Sequence, residues 1–242
     1  MKYAGVTGFM SRAEVDACLA ALPEGLTLMC GVLVSEKTLR GERNKWWRRY
    51  PRVEDIAGIF SDDPRCLNLI HYCSDAAPST EVVSRLQTLG GWTCQGFQFN
   101  VAWPERSTLA ALAGAHVVFQ VRPHAQDEGM MARLRAAVGA ARESDVHVLI
   151  DGSGGRGIPI DPDIADAWGM MIRGHFGNDV GLGFAGGLGA DHLRRLAAPI
   201  RSYSASTDVE GPVRDGDEGG VLNLDKARAY LRANGEIMGA AQ

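Results

Sequence analysis

His147-Val148-Leu149-Ile150-Asp151-Gly152-Ser153-Gly154-Gly155-Arg156-Gly157 reads as a buried strand that stops on a carboxylate and runs into a glycine-rich loop. The apolar run is too short for a helix, and aspartate and glycine punctuate its end. Short β-rich runs of the same kind recur at Lys2–Gly8, Leu26–Ser35, Leu67–Cys73, Gly96–Val101, His116–Val121, Val180–Gly186 and Arg201–Ser206. Helical stretches separate them. Ser11-Arg12-Ala13-Glu14 is a capping box, and Asp161-Pro162 places an N-cap before a proline at the first helical position. Eight strand–helix units in 242 residues come to about 30 residues each, which predicts an α/β chain folded as a single (β/α)8 TIM barrel over 1–242. The competing open sheet would carry a phosphate-binding turn after its first strand, and Gly5-Val6-Thr7-Gly8 is a poor match to GxGxxG.

Composition narrows the function. At 45% hydrophobic and 22% charged, with a formal net charge of −4, the chain is globular and lacks the basic surplus that nucleic-acid backbones require. The longest apolar run, Leu26 to Val34, is too short to span a bilayer, and no charged-then-apolar leader opens the chain, so a cytoplasmic protein with no membrane partner is expected. Five cysteines without a CxxC pair fit reduced thiols better than a disulfide framework or a structural zinc site. No redox-cofactor motif appears. The expectation is no cofactor and no obligatory metal.

In a (β/α)8 barrel the chemistry sits where strands end and loops begin. Asp151 is the leading catalytic candidate, because a carboxylate closing a buried strand is partly desolvated, an environment suited to general acid or base work. Period-2 alternation sets Gln98 and Asn100 on one face of the fourth run and Gln120 and Arg122 on one face of the fifth, as substrate-binding candidates. His71 and Cys73 share a face of the third, with Asp75 beyond. His71 is the second catalytic candidate. His71, Asp75 and His124 also permit a metal-site reading, which period-2 lining of one strand face explains as well. The phosphate-binding candidates are Gly155 after the sixth run, Gly186 and Gly187 after the seventh, and Ser206 and Thr207 after the eighth.

A long loop follows the second run. Its Lys45-Trp46-Trp47-Arg48-Arg49-Tyr50 interleaves tryptophans with cations. Such a segment either stacks a planar group of a ligand or packs on the barrel or on a second copy in a homodimer.

These residues resemble phosphoribosylanthranilate isomerase. Lys2-Tyr3-Ala4-Gly5-Val6-Thr7 is similar to the family's KxCGxT opening, and Gly96-Phe97-Gln98-Phe99-Asn100 to its GxQLH strand. Asp151 and the glycines after it resemble the sixth-strand aspartate and GGTG-type loop, and Ala185-Gly186-Gly187-Leu188 resembles (S/A)GGL. Ser206-Thr207-Asp208-Val209-Glu210, with Arg214-Asp215, resembles SSGVE…GxKD. The resemblance implies a phosphate grip at the seventh and eighth units and Asp151 as general acid. It also implies departures: the family's cysteine base falls on Ala4, its strand-four histidine on Asn100, and its eighth-strand aspartate on Ser204.

The expectation is therefore an enzyme that acts on a phosphorylated small molecule, a sugar phosphate or phosphoribosyl compound, by proton transfer of isomerase or lyase type. The alternative is a catalytically silent barrel that binds a phosphorylated metabolite or a protein partner.

Overall fold

The computed structural model describes residues 2–123, 128–153, 157–216 and 220–239. Eight parallel strands close into a barrel in sequence order: β1 (Ala4–Thr7), β2 (Leu28–Ser35), β3 (Cys66–Cys73), β4 (Gly96–Phe99), β5 (His116–Val121), β6 (Asp145–Asp151), β7 (Gly181–Ala185) and β8 (Ser206–Val209). β8 pairs with β1, setting Thr207 opposite Ala4 and Asp208 opposite Gly5. This is a (β/α)8 barrel.

Helices cover the outside: α1 (Arg12–Leu19), α2 (Glu36–Leu39), α3 (Ile56–Ile59), α4 (Thr80–Gly90), α5 (Arg106–Ala110), α6 (Glu128–Ala140), α7 (Pro162–Phe176), α8 (Ala190–Arg195), α9 (Ala197–Ser202) and α10 (Leu224–Met238). Local chemistry starts them where the sequence predicts. The Ser11 hydroxyl accepts from Glu14 N while the Glu14 carboxylate takes Ser11 N, and Asp161 caps α7 ahead of Pro162. Among the described residues no helix is long and apolar enough to cross a membrane.

Alternation along the strands divides the core into two shells. Tyr3, Met29, Leu69, Val118 and Leu149 fill the barrel, whereas Val6, Val32, Ile70, Phe97 and Phe184 pack outward under the helices. Ala4 belongs to the outer shell, so the position aligned with the family's cysteine faces helices rather than the barrel axis.

Five of the predicted runs contain their strands, the third and sixth start one and two residues after theirs (Cys66 and Asp145), and the eighth is displaced. Arg201 and Ser202 complete α9, and Ser204 turns the chain at φ +49°. Tyr203 is held under α7 by its hydroxyl, which donates to Asp166, and by its ring, which covers Gly169. These contacts consume the residues read as a strand, so β8 begins at Ser206 and ends at Val209.

Candidate active site

A cavity of about 660 Å³ opens at the carboxyl ends of the strands, lined by Thr7, His71, Gln98, Asp151, Gly186 and Asp208 among others. The described residues put the expected side chains Asp151, His71, Gln98, Asn100, Gln120 and Arg122 on this one surface, together with Gly186 and Gly187. Gly155 and His124 lie outside the described residues. Asp75 is exposed and does not join the lining, which removes it from a common site with His71.

Asp151 ends β6 and is buried at 4% exposure. Its Oδ1 accepts from Ser153 N at 2.9 Å and from Ser153 Oγ at 2.8 Å, and its Oδ2 accepts from Gln120 Nε2. This donor set suits the acceptor-only oxygens of a carboxylate. Gly186, at φ +97°, makes the approach possible, since a Cβ there would stand 2.9 Å from Asp151 Oδ1.

Asp208 is the functional candidate that the displaced strand concealed. Reading the eighth strand to end at Ser206 left Asp208 in a loop, and the correct register points it into the cavity. A signal was present in the sequence: three residues after the φ-reversing Ser204, the run Thr207-Asp208-Val209-Glu210 alternates as a strand does. Asp151 pairs with Ala185 of β7, and Phe184 pairs with Thr207, so Asp208 comes level with Ala185 on its other side. The two carboxylates thus flank Ala185 with backbones two strand spacings apart, about 10 Å. Burial pushes Asp208 up to about 7. The hydrogen bond from Thr7 offsets this only in part, and the charges of Glu210 and Asp151 add to the rise.

The Thr7 hydroxyl donates to Asp208 Oδ1 at 2.8 Å and lies 3.3 Å from His71 Nδ1. With the hydroxyl hydrogen committed to the carboxylate, His71 Nδ1 carries the proton toward Thr7. Burial pushes His71 down to about 3, so its ring is neutral at physiological pH. His71 packs in the space left by Gly31, whose missing Cβ would lie 2.7 Å from the ring.

Beside this group Gln98 Nε2 donates to Asn100 Oδ1, and Asn100 Nδ2 donates to the Cys73 sulfur. Burial lifts the Cys73 thiol to about 11, so it is not a thiolate. Gln98 Oε1 is buried with no protein donor among the described residues. Over the mouth, Trp46, Arg49 and Tyr50 line the cavity, and Arg49 pairs with Glu210 at 2.7 Å, joining the long loop to the end of β8. Trp47 points to solvent at 45% exposure, between Arg43 and Arg48.

Ser206 and Thr207 are not part of the cavity. Ser206 Oγ accepts from Tyr3 N in the barrel floor. Thr207 faces α10, where it donates to Asn234 Oδ1 at 2.7 Å and accepts from the Tyr230 hydroxyl at 2.7 Å. The strand's displacement turns both expected hydroxyl donors away from a phosphate at the mouth.

The fold and mouth define a (β/α)8 barrel with a polar site that holds Asp151, Asp208 and Glu210, and solved structures of that fold resemble it. Phosphoribosyl anthranilate isomerase from Thermococcus kodakaraensis aligns with a TM-score of 0.60 at 14% identity, covering 96% of this chain and 98% of that one. Orotidine 5'-monophosphate decarboxylase from Methanocaldococcus jannaschii aligns with a TM-score of 0.51 at 9% identity, covering 96% and 98%. A Rubisco-like protein from Rhodopseudomonas palustris aligns with a TM-score of 0.55 at 13% identity, covering 96% of this chain and 63% of that one. At these identities the likeness is one of fold. No family model and no curated protein matches the sequence.

Proposed function

We propose that this barrel is an enzyme that transfers a proton on a phosphorylated small molecule, in an isomerase or lyase reaction. The observation that carries the reading is Asp208: a buried carboxyl in the cavity, lifted to about 7 and level with a second carboxylate that is fully supplied with donors. Two carboxyls in unlike surroundings can hold opposite protonation states at one pH, which is what an acid and a base acting on one substrate require. Asp208 gives or takes the proton from its cavity side, and Asp151 serves the neighbouring atom. His71, first expected to be the second catalytic group, acts through Thr7 to hold Asp208, because a ring at about 3 is a poor base at neutral pH.

Gln98 and Asn100 orient the substrate, and Gln120 holds Asp151. Gly186 and Gly187 line the cavity at the end of β7, where a phosphoryl group would meet the backbone, and Arg122, exposed at the rim with no ion-pair partner among the described residues, supplies a cation. The named solved neighbours include an isomerase of a phosphoribosyl compound and a decarboxylase of a nucleoside monophosphate, which agrees with a phosphorylated substrate.

The test is thermal unfolding against inorganic phosphate, ribose 5-phosphate, phosphoribosyl compounds and nucleoside monophosphates at constant ionic strength. A ligand at a hundredfold its dissociation constant should stabilise the fold by about 2.7 kcal/mol. One compound should stand out, and Arg122→Ala should weaken it. A flat panel would sink the phosphate reading. Turnover of the compound found, lost in Asp208→Asn with binding retained, separates the enzyme from a silent binder, which the outward-facing Ala4 otherwise favours.

A further inference from the structure

We propose that His116, Asp145 and His147 form a divalent-metal site, for zinc or a similar borderline transition-metal ion, at the amino-terminal end of the barrel where β5 and β6 begin. This is the end opposite the cavity, and the inference does not depend on the function proposed above.

The three residues come together through register. His116 and Asp145 are paired residues at the starts of β5 and β6, and His147 is the next inward position along β6. One ligand atom from each lies within 4.8 Å of the other two. His116 Nδ1 stands 2.9 Å from Asp145 Oδ2, and His147 Nε2 stands 3.4 Å from Asp145 Oδ1. Ligand atoms on a tetrahedral zinc, each about 2.0–2.1 Å from the ion, lie about 3.3 Å apart, so three atoms within 4.8 Å of one another need only a small side-chain adjustment to close on an ion.

Hydrogen bonding among the three does not account for the arrangement. His147 is buried at 2% exposure, yet among the described residues neither of its ring nitrogens, nor His116 Nδ1, makes an aligned hydrogen bond, close as two of them stand to Asp145. A buried nitrogen lone pair left bare is costly. An imidazole binds a metal ion through a ring nitrogen lone pair and an aspartate through a carboxylate oxygen, and the paired starts of β5 and β6 bring two of the first and one of the second together.

Imidazole and carboxylate together select zinc, cobalt or nickel over magnesium or calcium, which prefer oxygen alone. Asp145 is 44% exposed, which gives an ion access and leaves room for water as a fourth ligand. A metal here ties β5 to β6 at the barrel floor. In this fold that end serves stability rather than chemistry.

The experiment uses tag-free protein stripped with a chelator, then loaded with zinc or cobalt. Expected are one zinc per chain by elemental analysis after dialysis, a rise in the unfolding temperature, and visible cobalt bands of a nitrogen and oxygen tetrahedral site. His116→Ala and Asp145→Asn, both at accessible positions, should each fold and lose at least tenfold in zinc affinity. No stoichiometric zinc would overturn the proposal. So would zinc affinity unchanged in both variants, or a thiolate-to-cobalt charge-transfer band, since either places the ion elsewhere.

Discussion

The Thr7 hydroxyl donates to Asp208 Oδ1 across 2.8 Å, joining the first strand of the barrel to the last at the floor of the cavity. On the far side of the same hydroxyl stands a neutral His71. If Asp208 takes a proton on its other oxygen, Oδ1 still accepts from Thr7 and Thr7 still accepts from His71, so no proton on the histidine has to move. Both protonation states of Asp208 are therefore supported by the same three side chains.

Asp208 makes stability depend on pH in a defined direction. Its folded value of about 7 exceeds the ordinary 3.8, so between these values the folded chain holds a proton that the unfolded chain has released. This contribution is complete below about pH 4 and is lost as pH rises through 7. About three pKa units at 1.36 kcal/mol each bound it at on the order of 4 kcal/mol. Asp208→Asn should remove that slope and be more stable than the parent at pH 8, by urea unfolding at pH 5 and 8. A variant whose pH slope matches the parent's would place the titration elsewhere.

Gly31 is where the His71 and Thr7 pair is most easily disturbed without altering either. An alanine Cβ would lie 2.5 Å from Thr7 Oγ1 and 2.7 Å from the His71 ring, in a buried layer with little room to give. Gly31→Ala should cost about 1–3 kcal/mol by overpacking. It should also move the Asp208 titration, because Thr7 is displaced from the carboxylate. Carbon NMR of the Asp208 side chain reads that titration, and an unchanged midpoint would mean that Thr7 does not set it.

The barrel was legible because closed parallel sheets write themselves as short apolar runs at even spacing, and period-2 alternation then fixed which side chains face inward. Gln98, Gln120 and Asp151 reach the cavity for that reason. The eighth strand was not legible, because Arg201 and Tyr203 look like strand residues locally. Their contacts are tertiary: Arg201 donates to Ile237 O of α10, and Tyr203 seats on Gly169 of α7. The His116, Asp145 and His147 cluster escaped notice for a related reason. It is assembled by pairing between two strands, and 29 positions separate His116 from Asp145 in the sequence.

Thr207 distinguishes a structural hydroxyl from a ligand-binding one. Thr207→Val keeps the shape but leaves Tyr230 without its acceptor and Asn234 Oδ1 without its donor, in a fully buried group. The loss should be about 1–3 kcal/mol. The stabilisation by the best phosphorylated compound should stay unchanged, since Thr207 faces α10. Loss of that response with stability intact would return Thr207 to the phosphate site.

Arg214 holds the carboxyl end of β1 in place, and it does so with geometry more than charge. Its guanidinium is buried at 5% exposure and donates to Thr7 O at 2.9 Å, Gly8 O at 2.6 Å and Gly220 O at 3.0 Å. Burial pushes it down to about 10, which still leaves it charged at neutral pH. Gly8, at φ +88°, admits the guanidinium where a Cβ would stand 2.2 Å from Nη2. Lysine keeps the charge but cannot present two nitrogens to three carbonyls. Arg214→Lys should therefore lose about 1–3 kcal/mol by urea unfolding, from the carbonyls it leaves without donors. With the end of β1 released, Thr7 no longer fixes Asp208, so the pH midpoint of turnover should shift along with stability. A lysine variant as stable as the parent would show that charge alone suffices at this position.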